Sequence, residues 1–170
     1  MKKILLFLFI LISASALSQE LRLLRGAITE NLIVNDSVSE TYSLYLPTNF
    51  NVNETWPVVF VMDLDGKGKA AVSMLMNAAE QEGYVLASSN NISDSLSISN
   101  NVANRMFNAV FQIIPTAKNR TYTAGFGSGG MFASILPTFV KEIKGVVSIG
   151  ASVGNVEILN AKQPFQFIGI

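Results

Sequence analysis

The run most suggestive of chemistry is Thr121-Tyr122-Thr123-Ala124-Gly125-Phe126-Gly127-Ser128-Gly129-Gly130. Strand-forming residues lead into glycines and then into helix formers, so the run reads as strand, tight turn and helix. A side chain at such a corner sits in a strained backbone at the positive end of a helix dipole, where a developing anion is stabilised. A second run, Val58 to Gly68, is an apolar strand ending in Asp63-Leu64-Asp65-Gly66-Lys67. Two carboxylates so closely spaced at a strand end are candidates for nucleophilic or acid–base chemistry. A calcium loop would need oxygen ligands where Lys67 and Met74 stand, so that match fails. A third run, Ser88-Ser89-Asn90-Asn91, ends a strand at the edge that faces the ligand crevice in parallel sheets. It reads either as substrate contact by Asn90 and Asn91 or as asparagine turn chemistry.

What is missing narrows the chemistry. The chain has no histidine and no cysteine, so it cannot complete a Ser-His-Asp triad or a His-ligated zinc site by itself. Thiol catalysis, disulfides and iron–sulfur clusters are excluded as well. No cofactor and no metal are expected. With 49% hydrophobic and 14% charged residues in a chain of 170, one core-forming domain is expected. Lys2 and Lys3, the apolar run Ile4 to Ile12 and Ala16-Leu17-Ser18 read as a secretory signal peptide over residues 1–18. Nine apolar residues are too few for a stable membrane span. A secreted or periplasmic protein is expected, with its domain over 19–170. Cleavage removes two of the 12 basic residues and leaves 12 acidic ones, a net charge of about −2. That balance argues against nucleic acid as a partner.

The elements that must position these residues alternate. Segment 20–47 reads as two extended stretches around a turn at Asn35-Asp36, with Glu40 to Leu46 patterned as a half-buried strand. Pro57 to Met62 and Tyr84 to Ser88 read as buried strands. Between them Ala71, Met74, Leu75, Ala78 and Ala79 recur at helical spacing over 69–82. Ser99 is the expected N-cap of the next helix, with Val102, Met106, Val110 and Ile114 on its apolar side. Strand Thr121–Gly125, helix 129–136 ending near Pro137, strand Gly145–Ala151 and a buried apolar strand Phe165–Ile170 follow. Met74, Met76 and Met106 read as core, and Trp56 as a surface cover. The order is βαβαβαβ behind an antiparallel opening, with the parallel strands as neighbours in one sheet. Ending on a bare apolar strand without charge or proline reads as a fragment of a longer protein.

The glycine-rich corner, Tyr42 to Pro47 (YSLYLP), PVVFVMD with its glycine loop, and Gly83 to Asn91 (GYVLASSNN) together resemble secreted α/β-hydrolase esterases. The likeness is to the feruloyl-esterase and polyhydroxyalkanoate-depolymerase kind, and it covers most of residues 40–151. It implies an α/β-hydrolase fold, a mostly parallel sheet with helices on both faces, truncated after a late strand. It also implies carboxylic-ester hydrolysis on a small-molecule or polymer substrate. In that family the corner is the nucleophile elbow, G-x-S-x-G. Aligned on Gly125-Phe126, the nucleophile position holds Gly127, and Ser128 comes one residue late. The backbone N–H groups of Ser128, Gly66 and Lys67 would form the oxyanion hole. Three readings stay open: a site without a nucleophile, a shifted elbow in which Ser128 attacks, and a purely structural corner of another α/β fold. As it stands the chain is expected to be inactive, either as an incomplete esterase or as a hydrolase-derived binding protein. A rival resemblance, of Asp63-x-Asp65-Gly66 to motif I of haloacid-dehalogenase-type phosphatases, implies a metal-dependent phosphatase in which Asp63 attacks phosphorus, Asp65 acts as acid/base and Mg²⁺ balances the charge; it is weakened by Lys67 where that family has threonine.

Overall fold

The computed structural model describes residues 23–35, 37–93, 96–151 and 164–170. The signal-peptide reading of residues 1–18 lies outside them, as do Asp36, Asp94 and Glu157. The chain forms β1 (Ile28–Asn35), β2 (Val38–Tyr45), β3 (Trp56–Met62), α1 (Gly68–Glu82), β4 (Val85–Ser89) and α2 (Leu96–Ile113). Then come β5 (Thr116–Phe126), α3 (Ser128–Ile135), a 3₁₀ turn (Leu136–Thr138), β6 (Ile143–Ile149) and β7 (Gln166–Gly169). Among the described residues these strands make one sheet in the order β1-β2-β4-β3-β5-β6-β7. β2 is antiparallel to both its neighbours, and β4, β3, β5, β6 and β7 run parallel. The four internal parallel strands read from the sequence are therefore neighbours.

Alternation along the strands divides the core. Val58, Phe60 and Met62 face the side covered by α2 and α3, together with Val102, Met106, Phe107 and Phe132. Val59 and Leu86 face α1, with Val72, Leu75 and Ala79. This division follows from right-handed crossovers, because β3-α1-β4 steps one way along the sheet and β5-α3-β6 the other. Phe60 packs on Phe107 and Phe111 with ring centroids 4.0 and 5.6 Å away. The Glu80 carboxylate ties α1 to β2: the hydroxyls of Tyr45 and Thr48 and the Thr48 N–H all donate to it. Arg105 of α2 grips Glu40 of β2 through both carboxylate oxygens.

Several expectations are corrected. β2 does not alternate, for Tyr42, Ser43, Leu44 and Tyr45 are all buried. It is an internal strand with α1 on one face and α2 on the other. Met74 is 60% exposed and Ala78 exposed, because the apolar face of α1 runs instead through Ala71, Val72, Leu75, Met76 and Ala79. Ser99 does not cap α2, which begins at Leu96; its hydroxyl holds Ser93 instead. Trp56 is core, with its ring on Phe50 and its indole N–H donating to Asn51 O at 2.8 Å. Residues 166–169 are exposed rather than buried, because β7 occupies an edge of the described sheet.

Candidate active site

β3 and β5 are adjacent, but their outgoing connections run to opposite faces. A crevice opens at the carboxyl ends of such a pair, and ligands of open α/β sheets bind there. Both glycine-rich runs meet at this place. Gly125 and Gly129 face each other across the corner: a Cβ on Gly125 would stand 2.3 Å from Gly129 C, and one on Gly129 would stand 2.2 Å from Met62 O. A Cβ on Gly130 would stand 2.8 Å from both Gly125 O and Ser148 Oγ. Only glycine lets α3 lie this close to β5 and to the end of β3.

Gly127 is different. Its backbone has φ 52 and ψ −125, a conformation that glycine accepts cheaply and serine only under strain. A Cβ there would meet no atom of the described residues within 4 Å. The turn is pinned on either side, because Gly127 N–H donates to Ile149 O at 2.8 Å and Met131 N–H donates to Gly127 O at 3.1 Å. The strained residue of the corner is thus Gly127, flanked by Gly125 and Gly129 at two-residue spacing. Ser128 is the first residue of α3 and is exposed.

The loop after β3 abuts this corner, for a Cβ on Gly129 would lie 3.4 Å from Asp63 Cα. The loop is closed by its own first residue. Lys67 N–H donates to Asp63 Oδ2 at 2.7 Å, and Gly66 N–H reaches Asp63 O at 3.4 Å. Lys67 Nζ pairs with Asp65 at 2.8 Å in solvent. The hydrogen bond to Asp65 raises the Lys67 pKa above its ordinary value, so the ammonium stays protonated at neutral pH and is no general base. Gly66 and Gly68 let the loop press on β4: a Cβ on Gly66 would stand 2.8 Å from Asn90 O, and one on Gly68 would stand 2.4 Å from Asn90 Oδ1.

Asn90 and Asn91 lie beside this loop with their side chains turned to β2. Asn90 Nδ2 donates to Thr41 Oγ1 at 2.9 Å, and Ser43 Oγ donates to Asn90 Oδ1 at 3.2 Å. Asn91 Oδ1 accepts from Thr41 N–H at 2.8 Å. The structure therefore gathers Gly66, Lys67, Gly127 and Ser128 at one sheet edge and keeps the two asparagines as the brace behind the loop. Among the described residues no three carboxylates, histidines or cysteines gather into a metal-binding group. Asp63 and Asp65 each hold a partner within the loop. Reasoning from sequence missed Asp63 as the residue that closes the loop. The signal was present, since an aspartate four residues before a helix-starting Lys-Gly is placed to accept backbone N–H groups.

No family model matches the sequence, and a search of curated proteins finds no match. Solved structures do match. A thermostable esterase superposes with a TM-score of 0.65 at 13% identity, over 84% of this chain and 45% of that one. A fluorophosphonate-binding serine hydrolase of Staphylococcus aureus gives 0.60 at 15%, over 74% and 57%. A ferulic acid esterase gives 0.55 at 12%, over 74% and 60%. The chain spans roughly half the length of these structures. With its sheet order, crossovers and glycine corner, the chain is built on the α/β-hydrolase fold that these esterases share.

Proposed function

We propose that this chain is an exported esterase-type domain that holds a carboxylic ester or its acid at the β3–β5 crevice and does not hydrolyse it unaided. The observation that carries this reading is Gly127: a strained turn residue with space, among the described residues, where a nucleophile's side chain would stand. The backbone N–H of Ser128, at the start of α3, would face the ligand's carbonyl or carboxylate oxygen, aided by the helix dipole. The Gly66 and Lys67 N–H groups would join it once the ligand replaces Asp63 as their acceptor. Asn90 and Asn91 would keep that loop in place. Small and polymer-linked esters both fit an exported protein of this fold. No described helix is long and apolar enough to cross a membrane.

Catalysis has no support from the residues at hand. A serine hydroxyl needs a base, the chain has no histidine, and Lys67 is protonated. Purified protein should therefore release no p-nitrophenol from p-nitrophenyl acetate above background and take no label from a fluorophosphonate probe. The amide resonances of Gly127 and Ser128 should shift on titration with a simple carboxylate. Labelling that disappears in Ser128→Ala would make Ser128 a displaced nucleophile and overturn the vacant-site reading. Phosphate release from p-nitrophenyl phosphate with Mg²⁺, abolished in Asp63→Asn, would replace the esterase reading with a phosphatase.

A further inference from the structure

The two faces of the sheet are covered unequally. α2 and α3 lie on one face, and among the described residues α1 alone lies on the other, over β2, β4 and β3. Parallel strands are stable when both of their faces are covered. On the side of α1, no described helix covers β5, β6 and β7. Val58 and Val146, on the α2 and α3 side, are buried, whereas Val59 and Val147 face the other way and are only half-buried. Ile168 on the same surface is exposed. A Cβ on Gly145 would stand 2.9 Å from Tyr122 Cδ1, so glycine lets that ring lie across β6. The result is an apolar groove of about 390 Å³ beside α1, lined by Val59, Leu75, Tyr84, Tyr122, Val147 and Ile168.

The helix beside the groove has a matching surface. Ala70, Ser73, Met74, Asn77 and Gln81 are exposed, uncharged and spaced along one face of α1. The solvated side of a helix normally mixes charged with polar residues, whereas depletion of charge marks the core of an interface. Ala78 is exposed on the wall of the groove itself. An uncharged ridge and an apolar groove thus lie side by side, and a two-fold axis makes such a pair self-complementary. With the axis parallel to α1 and between two copies of it, each helix fills the groove of the other copy. The outward face of each helix then meets the other copy's β5, β6 and β7. The charges are complementary in that arrangement. Glu82 lines the groove at the last turn of α1, and Arg120 lies at the same end, 5.6 Å over the Tyr84 ring. Neither forms an ion pair among the described residues. Because the axis keeps both helices pointing the same way, Glu82 of each copy arrives at the end where Arg120 of the other lies.

We infer that two copies of this chain associate through the α1 face, each helix seated in the other copy's groove. The inference is independent of the site at Gly127. Sedimentation velocity of the purified chain from about 1 to 100 μM should show a monomer–dimer equilibrium. Met74→Arg, at an exposed position, should shift it to monomer without lowering the thermal melt. Glu82→Arg and Arg120→Glu should each weaken association about tenfold, and the double variant, which exchanges the two charges, should recover most of it. Asn101→Arg, on the exposed side of α2, should leave the dimer unchanged. The inference fails if the chain is monomeric at the highest concentration, which would leave the groove to a different polypeptide. It fails equally if Met74→Arg leaves the dimer intact, or if the double charge reversal associates no more tightly than the single ones.

Discussion

The two glycine-rich corners at the crevice are held by different forces. At the β5–α3 corner, backbone packs on backbone: Gly125, Gly129 and Gly130 leave no room for a Cβ, and among the described residues no titratable side chain takes part. At the β3–α1 corner, side chains close the loop, through Asp63 to Lys67 N–H and through Asp65 to Lys67 Nζ. The helix beyond it is tied down by Glu80 and Tyr45. The first corner is rigid by exclusion and the second by bonds that mutation can break. One corner can therefore lose its nucleophile without losing its shape, while the other can adapt to a ligand.

The sharpest way to break this contrast is Gly129→Ala. The new methyl would meet the Met62 carbonyl at 2.2 Å, backbone that cannot rotate away. A cost of about 3 kcal/mol or more is expected, read by denaturant unfolding. An unfolding midpoint equal to that of the parent would mean that the close approach of α3 is not needed. Gly127→Ser should cost less, about 1–2 kcal/mol, because only backbone strain opposes it. It should remain folded and, without a histidine, should still take no fluorophosphonate label; a label would reveal a base that the described residues do not show.

At the bonded corner Asp63→Ala should cost about 1 kcal/mol and loosen the amides of Gly66 and Lys67 in hydrogen exchange. Asp63→Asn keeps an acceptor and should restore most of that protection. Alkali should also test the packing of β2, from which Tyr45 reaches α1. Burial, with the Glu80 hydrogen bond second, pushes Tyr45 up to about 12, and burial pushes Tyr42 to about 12, from 10.0. Both groups favour the protonated form in the fold, so their contribution is complete below pH 10 and is lost as pH rises towards 12. Thermal melts should fall across that window, and less steeply in Tyr45→Phe. The smallest effect belongs to Ser148→Ala beneath the rigid corner. The Ser148 hydroxyl is buried with no hydrogen-bond partner among the described residues, so its removal should change stability by no more than about 0.5 kcal/mol, in either direction.

Strand and helix order was legible because local patterns report it. Val58 to Met62 is a continuous apolar run wherever it folds, and Val102, Met106, Val110 and Ile114 share a helical face in any context. Facing was less legible. Met74 and Leu75 differ by one position, and only the direction from which α1 meets β2 and β4 decides which of them is buried. Ser43 reads as a solvent-facing position until β2 is known to lie between β1 and β4.

The sequence by itself determined the chemical inventory and the spacing of the corner. It shows no histidine, no cysteine, and glycines two residues either side of Gly127. Composition and spacing are covalent facts and need no fold. Only the tertiary structure decided that Gly127 carries the strained turn with free space beside it, that Asp63 closes the neighbouring loop, and that Asn90 and Asn91 turn towards β2. Those outcomes depend on which backbone atoms are brought within a few ångströms by strands far apart in the chain, and no local pattern encodes that distance.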